Sequence, residues 1–198
     1  MNLIYQNYES YRQEQIAENR RKASCVWATK EELSAIADHL LVAIGRSPRF
    51  GLCHGCRMGW EVAEFSELLD CPVVGTDIVP ECEMAGGIVC HDMHEPHPDF
   101  IGKCDFVYSN SFDHCYDFPK FLESQSNHLT DDGWLYLTHS EDKLQAVNEA
   151  DCLGISLDET IDICSGTFNV VGVIQLGDIY NPSFKATLKG VNVVCCTI

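Results

Sequence analysis

The feature that most constrains this chain is an alternation that begins at residue 49. Short apolar runs take turns with segments whose apolar residues recur at helical spacing. "RFGLC" (49–53), "CPVVGTDI" (71–78), "GGIVCHD" (86–92), "CDFVYSN" (104–110) and "DDGWLYLTHS" (131–140) read as strands. Pro72 stands at the first position of its run, where a missing N–H is tolerated. Between the runs, Val62, Phe65, Leu68 and Leu69 share a helical face, and residues 80–85 read as a short turn or helix. "DFPKFLESQSNHL" (117–129) is a helix with Pro119 in its first turn, and "EDKLQAVNEA" (141–150) is a further helix. Apolar strands alternating with helices predict a parallel sheet covered on both faces. "FNVVGVIQL" and "VNVVCCTI" come last, separated by the polar loop "GDIYNPSFKATLKG" with no helix between them. That pairing predicts an antiparallel excursion at one sheet edge.

Two helices precede the alternation. Residues 5–22 are polar and helix-compatible, with Tyr5, Tyr8 and Tyr11 spaced by three. Thr29 then reads as an N-cap with Glu32 as its capping-box partner. Leu33, Ile36, Ala37, Leu40, Leu41 and Ile44 form an apolar stripe that Gly45 closes.

The 198 residues suit one domain. No apolar run approaches the roughly 18 residues of a membrane span. The start "MNLIYQNYESYRQEQ" lacks the basic and apolar regions of a signal peptide, so a cytoplasmic setting is the default expectation. In that setting the 12 cysteines, several of them inside apolar runs, read as reduced structural thiols. A net charge of −17 argues against a long nucleic acid partner, which demands a basic stripe.

Polar groups collect where the strands end. The first run ends in Cys53, His54, Gly55, Cys56 and Arg57; the second in Asp77; the third in Cys90, His91, Asp92 and Met93. The fourth ends in Ser109, Asn110 and Ser111, with Asp113 and His114 just beyond, and the fifth in Thr138, His139 and Ser140. Ligands of open α/β sheets bind beyond the carboxyl ends of the strands, so a site is expected there. Asp77 lies 22 positions after Gly55 (77 − 55), a spacing suited to a carboxylate that accepts from ribose hydroxyls. Asp92 can accept from an adenine amino group. Backbone N–H groups at the start of the helix near Met58 face the bend and favour a negative group there.

The bend itself admits other readings. Cys53 and Cys56 form C-x-x-C and, with His91, His94 and His97, offer a zinc ligand set. There is no second C-x-x-C, and the two prolines of "HDMHEPHP" suggest a solvated loop, so no metal is expected. A redox pair is disfavoured because thioredoxin-like order is absent.

The order and spacing of "GLCHGCRMGWEV", "VVGTDI", "IVCHDM", "CDFVYSNSFDH" and "DDGWLYLTHS" resemble the successive motifs of class I S-adenosylmethionine-dependent methyltransferases. The resemblance runs from about residue 48 to the C-terminus. It implies a three-layer Rossmann-like α/β sandwich with a seven-stranded, mostly parallel sheet and an antiparallel C-terminal edge strand. Residues 1–46 would be a helical lid or extension and 47–198 the cofactor-binding domain. It implies S-adenosyl-L-methionine as cofactor, with Cys53, His54, Gly55, Arg57 and Gly59 on the glycine-rich turn. Asp77 and Ile78 fall at the ribose, Asp92 and Met93 at the adenine, and Ser109 and Asn110 between cofactor and substrate. Two departures stand out. The three glycines of the usual turn read Cys53, Gly55 and Arg57, and the acid that usually precedes them is replaced by Gly51. Arg57 is suited to hold the cofactor's carboxylate.

Methyl transfer depends largely on alignment, and a hydroxyl or amine acceptor must also lose a proton. His114 is the foremost base candidate, with Asp113 orienting it or acting alone and His139 in reserve. Tyr8, Tyr11, Arg12 and Trp27, with the loop 176–189, are the expected walls of an acceptor pocket sized for a small molecule. Two other expectations stay open: transfer of a different group, such as aminopropyl, and a non-catalytic cofactor-binding subunit.

Overall fold

The computed structural model describes residues 5, 7–141 and 151–198. Seven strands form one sheet: β1 (Gly51–His54), β2 (Val73–Asp77), β3 (Ile88–Cys90), β4 (Cys104–Ser109), β5 (Leu129–His139), β6 (Asn169–Asn181) and β7 (Ala186–Thr197). Their order is β3-β2-β1-β4-β5-β7-β6. The first five are parallel, and β7 runs antiparallel between β5 and β6. The antiparallel excursion therefore lies at one edge, with β6 outermost.

Strand side chains alternate between two cores because successive residues point to opposite faces. Cys53, Phe106, Tyr108, Tyr136 and Val193 face one layer, built on α2 (Lys30–Ile44) and α3 (Trp60–Leu69). Leu52, Val107, Leu135, Leu137 and Val194 face the other, built on α4 (Phe118–His128) and α5 (Leu157–Cys164). In α2, Leu33, Ile36 and Leu40 are fully buried, each worth roughly 1.5–3 kcal/mol of transfer free energy. This helix is a layer of the sandwich, whereas α1 (Tyr8–Arg21) lies across the polar end of the sheet.

The twelve thiols are all free, and all but Cys25 and Cys90 are buried. Among the described residues no helix is long and apolar enough to cross a membrane. The helix expected over 141–150 lies outside the described residues, apart from Glu141. Two local expectations change. First, α5 arises where the sequence reading placed no element; Ser156 and Glu159 cap it reciprocally. Second, most of the expected loop 176–189 is a hairpin arm, with Ile179 opposite Leu188 and Asn181 opposite Ala186. The arm reads as polar because it projects past the sheet, and a register shift at Gly177, where φ is +71°, bends it.

Candidate functional site

The turn after β1 is built by backbone bonds from Gly55 N and Cys56 N to the Thr76 carbonyl, 2.8 and 3.3 Å. Gly55 has φ +67°, and a Cβ there would come within 2.6 Å of the Ser111 side chain. Arg57 adopts φ +48°, in the left-handed region that favours glycine, which agrees with a glycine being usual there. The missing acid at Gly51 also has a physical reason: the Phe106 ring lies 2.2 Å from where its Cβ would be.

Asp77 closes β2 and is buried. Its Oδ2 accepts from Arg57 N at 2.8 Å, and its Oδ1 from Val79 N at 3.1 Å and from Asn19 Nδ2 at 2.9 Å. Burial raises its carboxyl above the usual range, and these hydrogen bonds oppose the rise. Asp92 follows β3. Its Oδ1 accepts from His94 N at 2.9 Å and His94 Nδ1 at 2.6 Å, and its Oδ2 accepts from the Tyr8 hydroxyl. His94 Nε2 accepts from Tyr116 N at 3.1 Å, so its proton is on Nδ1 and is donated to Asp92. Burial pushes Asp92 up, and the contacts with His94 outweigh it and leave the carboxyl lowered.

Two cavities open at this end of the sheet. The narrow one, about 60 Å³, is lined by Tyr11, Asn19, Asp77, Ile78, Asp92 and Met93. The wide one, about 310 Å³, includes Trp27, Glu32, Glu61, Asn110, Asp113 and Asp151. Gly55, Arg57, Ser111 and His114 line both, so the cavities meet at the turn. The Arg57 guanidinium is steadied by the Cys25 carbonyl at 3.1 Å.

Several expected site residues stand elsewhere. The Cys53 thiol packs in the core, and burial pushes it well up, as it does the thiol of Cys56. His54 points to the α4 side, with Nδ1 2.6 Å from Thr76 Oγ1 and its ring beside His128. Ser109 is buried and shapes the backbone by accepting from Ser111 N at 3.1 Å. His139 is buried with Nε2 3.0 Å from the Ile155 carbonyl, in neither cavity lining. That geometry gives it a structural place rather than a position over the junction. Gly59 is the N-cap of α3, and Arg12 is half-buried outside both linings. The zinc set does not assemble: Cys56 Sγ contacts the Thr76 carbonyl, His91 Nε2 the Glu95 carbonyl, and His97 stacks on Phe100.

Three residues of the wide cavity were missed. Glu32, expected as a capping-box carboxylate, contributes its N–H to Thr29 at 3.3 Å. Its carboxylate instead turns inward and accepts from the hydroxyls of Tyr108, at 2.6 Å, and Thr138. Glu61 reads in the sequence as an ordinary first-turn acid, yet it lines the cavity and burial pushes it up to about 7. Asp151 lies 3.5 Å from His114 Nδ1, brought there because Leu153 N bonds the Asp113 carbonyl at 2.9 Å. Asp113, His114 and Asp151 offer one ligand atom each, all within 4.8 Å of one another, a spacing that could hold a cation.

No protein-family model matches the sequence, and no curated protein matches it. Solved structures do. The Burkholderia thailandensis 1,6-didemethyltoxoflavin-N1-methyltransferase, with its substrate and S-adenosylhomocysteine bound, is 17% identical at a TM-score of 0.73. The match covers 100% of this chain and 92% of that one. The N-methyltransferase NodS of Bradyrhizobium japonicum, in complex with S-adenosylhomocysteine, is 12% identical over 93% of this chain and 98% of that one, TM-score 0.68. A TehB-like methyltransferase of Corynebacterium glutamicum is 14% identical over 96% and 99%, TM-score 0.56. The fold is thus the Rossmann-like fold of S-adenosylmethionine-dependent methyltransferases.

Proposed function

We propose that this chain is an S-adenosylmethionine-dependent methyltransferase that acts on a small-molecule acceptor. The observation that carries this reading is the meeting of two cavities at residues 55–57, below the carboxyl ends of β1, β2 and β4. The residues fit the cofactor. Asp77 presents a buried carboxylate whose Oδ1 is now taken by the Asn19 amide, a donor that ribose hydroxyls can replace. Gly55 keeps open a cradle that a Cβ would fill. Ile78, Met93 and the Tyr11 ring supply apolar walls for a base, and Arg57 can pair with a carboxylate. Support also comes from the similar structures that hold S-adenosylhomocysteine.

When bound, the cofactor supplies a methyl group on a positively charged sulfur. The chain does the rest. Tyr11 of α1 lines the narrow cavity and excludes water, and the Tyr8 hydroxyl donates to Asp92 beside it. The wide cavity positions the acceptor toward Gly55 and Ser111. His114, at the junction, takes a proton from the acceptor, and Asp151, 3.5 Å from Nδ1, orients its ring. The small size of the cavity supports a small acceptor over a folded protein. A thermal-shift assay tests the reading: S-adenosylhomocysteine should raise the melting temperature of the protein, and far less so in Asp77→Ala. Equal shifts in both proteins would place the ribose elsewhere.

A further inference from the structure

The narrow cavity is too small for the nucleoside end of the cofactor. It measures about 60 Å³, against roughly 300–1,000 Å³ for pockets that take small-molecule ligands. A wall must therefore move. On one side the wall includes Gly55, Thr76 and Asp77, tied into the sheet by the bonds from Gly55 N and Cys56 N to the Thr76 carbonyl. On the other it is Tyr11, Gln15, Glu18, Asn19 and Lys22, all from α1 and its C-cap.

The helical wall has the weaker hold. Of the 14 residues of α1, Tyr11 and Gln15 are buried, whereas α2 buries five. The two halves of α1 are attached differently. The N-terminal half belongs to a ring cluster, in which Tyr11 lies 5.6 Å from Tyr8, 5.4 Å from Tyr116 and 5.8 Å from His94 between centroids. The C-terminal half is anchored by polar contacts. Asn19 Nδ2 donates to Asp77 Oδ1 at 2.9 Å. Arg20 donates to Oε1 of Glu81, in the short helical turn Pro80–Ala85, at 2.7 and 3.0 Å. Both partners of this ion pair are half-exposed, and exposed pairs hold weakly.

The Asn19 contact falls on the group that the cofactor needs. A carboxylate offers about four acceptor sites, two on each oxygen. Asp77 Oδ1 already takes Val79 N and the Asn19 amide, while Oδ2 takes Arg57 N and keeps one site. A ribose presents two neighbouring hydroxyls, one for each oxygen. The hydroxyl directed at Oδ1 finds a place once Asn19 has left.

We infer that the C-terminal half of α1 is an internal competitor of the cofactor: the Asn19 amide occupies the Asp77 oxygen that a ribose hydroxyl must take, and the nucleoside enters as this half swings outward about the tyrosine cluster. This rests on the reading of the site as one for S-adenosylmethionine and adds how access to it is controlled. Tyr11 stays in the cluster and keeps its place as a wall for the base. Contacts that a ligand must break lower its observed affinity by the fraction of protein that is open. Removing them strengthens binding, whereas removing a residue that touches the cofactor weakens it. The sign of the effect therefore separates the two roles.

The test is calorimetric titration of S-adenosylhomocysteine into the native chain, Asn19→Ala and Arg20→Gln. Asn19→Ala should bind about three- to tenfold more tightly, as expected for loss of one competing hydrogen bond. Alanine favours a helix more than asparagine does, so α1 should persist in this variant. Arg20→Gln changes only the exposed pair and should bind about twofold more tightly, and it carries the test if Asn19→Ala does not fold. Trypsin supplies a second readout, because Arg20, Arg21 and Lys22 stand at the end that swings out. S-adenosylhomocysteine should speed cleavage of the native chain at these residues. Unchanged or weaker binding by Asn19→Ala, or by Arg20→Gln in its place, overturns the inference and leaves the methyltransferase reading standing. Slower cleavage with S-adenosylhomocysteine bound does the same. If neither the native chain nor a variant binds, the methyltransferase reading fails and the inference falls with it.

Discussion

The two ends of the sheet use acid in opposite ways. At the amino end, Asp105 at the start of β4 is wholly buried and shared between two arginines. Arg46 reaches it at 2.7 and 2.9 Å and Arg49 at 2.9 Å. Burial pushes this carboxyl up, but the two guanidiniums hold it well below the usual range. At the carboxyl end, Asp77 and Glu61 are raised and face cavities rather than arginine pairs, while Asp92 is held down by His94 and not by a guanidinium. The contrast separates structure from binding. An acid closed off by guanidinium bonds ties chain segments together, whereas an acid facing a cavity is the one the proposed function assigns to a ligand.

The comparison can be broken most forcefully at Asp105. Asp105→Asn should destabilise the fold by about 2–4 kcal/mol, since it removes charged hydrogen bonds from a buried acceptor. Urea unfolding measures this, and a loss near zero would make the cluster ornamental. The pH dependence has a definite sign. A carboxyl lowered in the folded state contributes stability above its unfolded value, so that contribution should fade as pH drops below roughly 4.

At the opposite end, Asp77→Ala should leave the fold intact but weaken S-adenosylhomocysteine by about 1.5–3 kcal/mol, read by calorimetry. A large stability loss with unchanged affinity would reverse the contrast. Glu61 sharpens it further. Its carboxyl is raised in the folded state, so ionising it costs stability as pH rises from the unfolded value, near 4.3, through about 7. Glu61→Gln should therefore stabilise the protein by about 1–2 kcal/mol at pH 8 and by little at pH 5. Melting curves at the two pH values decide it, and destabilisation at pH 8 would mean the carboxylate is structural.

The smallest expected effect is at His139. Its bond to the Ile155 carbonyl ties β5 to the segment ahead of α5. His139→Gln should cost about 1 kcal/mol of stability with cofactor affinity unchanged. Loss of affinity without loss of stability would return His139 to the site.

What the sequence disclosed followed from periodicity. Strand ends are legible because an apolar run stops abruptly at polar residues, which located Gly55, Asp77, Asp92, Asn110 and His114 at one end of the sheet. Side-chain direction is less legible. Cys53 and His54 fall on the motif, yet their side chains face opposite cores because residues alternate along β1. Contacts across long separations are not legible at all. Nothing local to Asp151 indicates that it lies beside His114, and Glu32 sits in a capping pattern while its carboxylate serves the cavity. The hairpin arm was hidden for a different reason. Its covered side alternates Ile179 with the polar Asn181, whose amide donates to the Val26 and Trp27 carbonyls, so the arm lacks the apolar alternation that marks a half-buried strand. The cap at Ser156 and Glu159 was a readable signal for α5.

The central claim, that the junction at Gly55 and Arg57 holds S-adenosylmethionine, is tested most directly by isothermal titration calorimetry. The purified chain is titrated with S-adenosylmethionine and with S-adenosylhomocysteine. The account predicts saturable binding of both, with one site per chain. The absence of any binding by either compound at millimolar concentration, in protein that melts cooperatively, would contradict it.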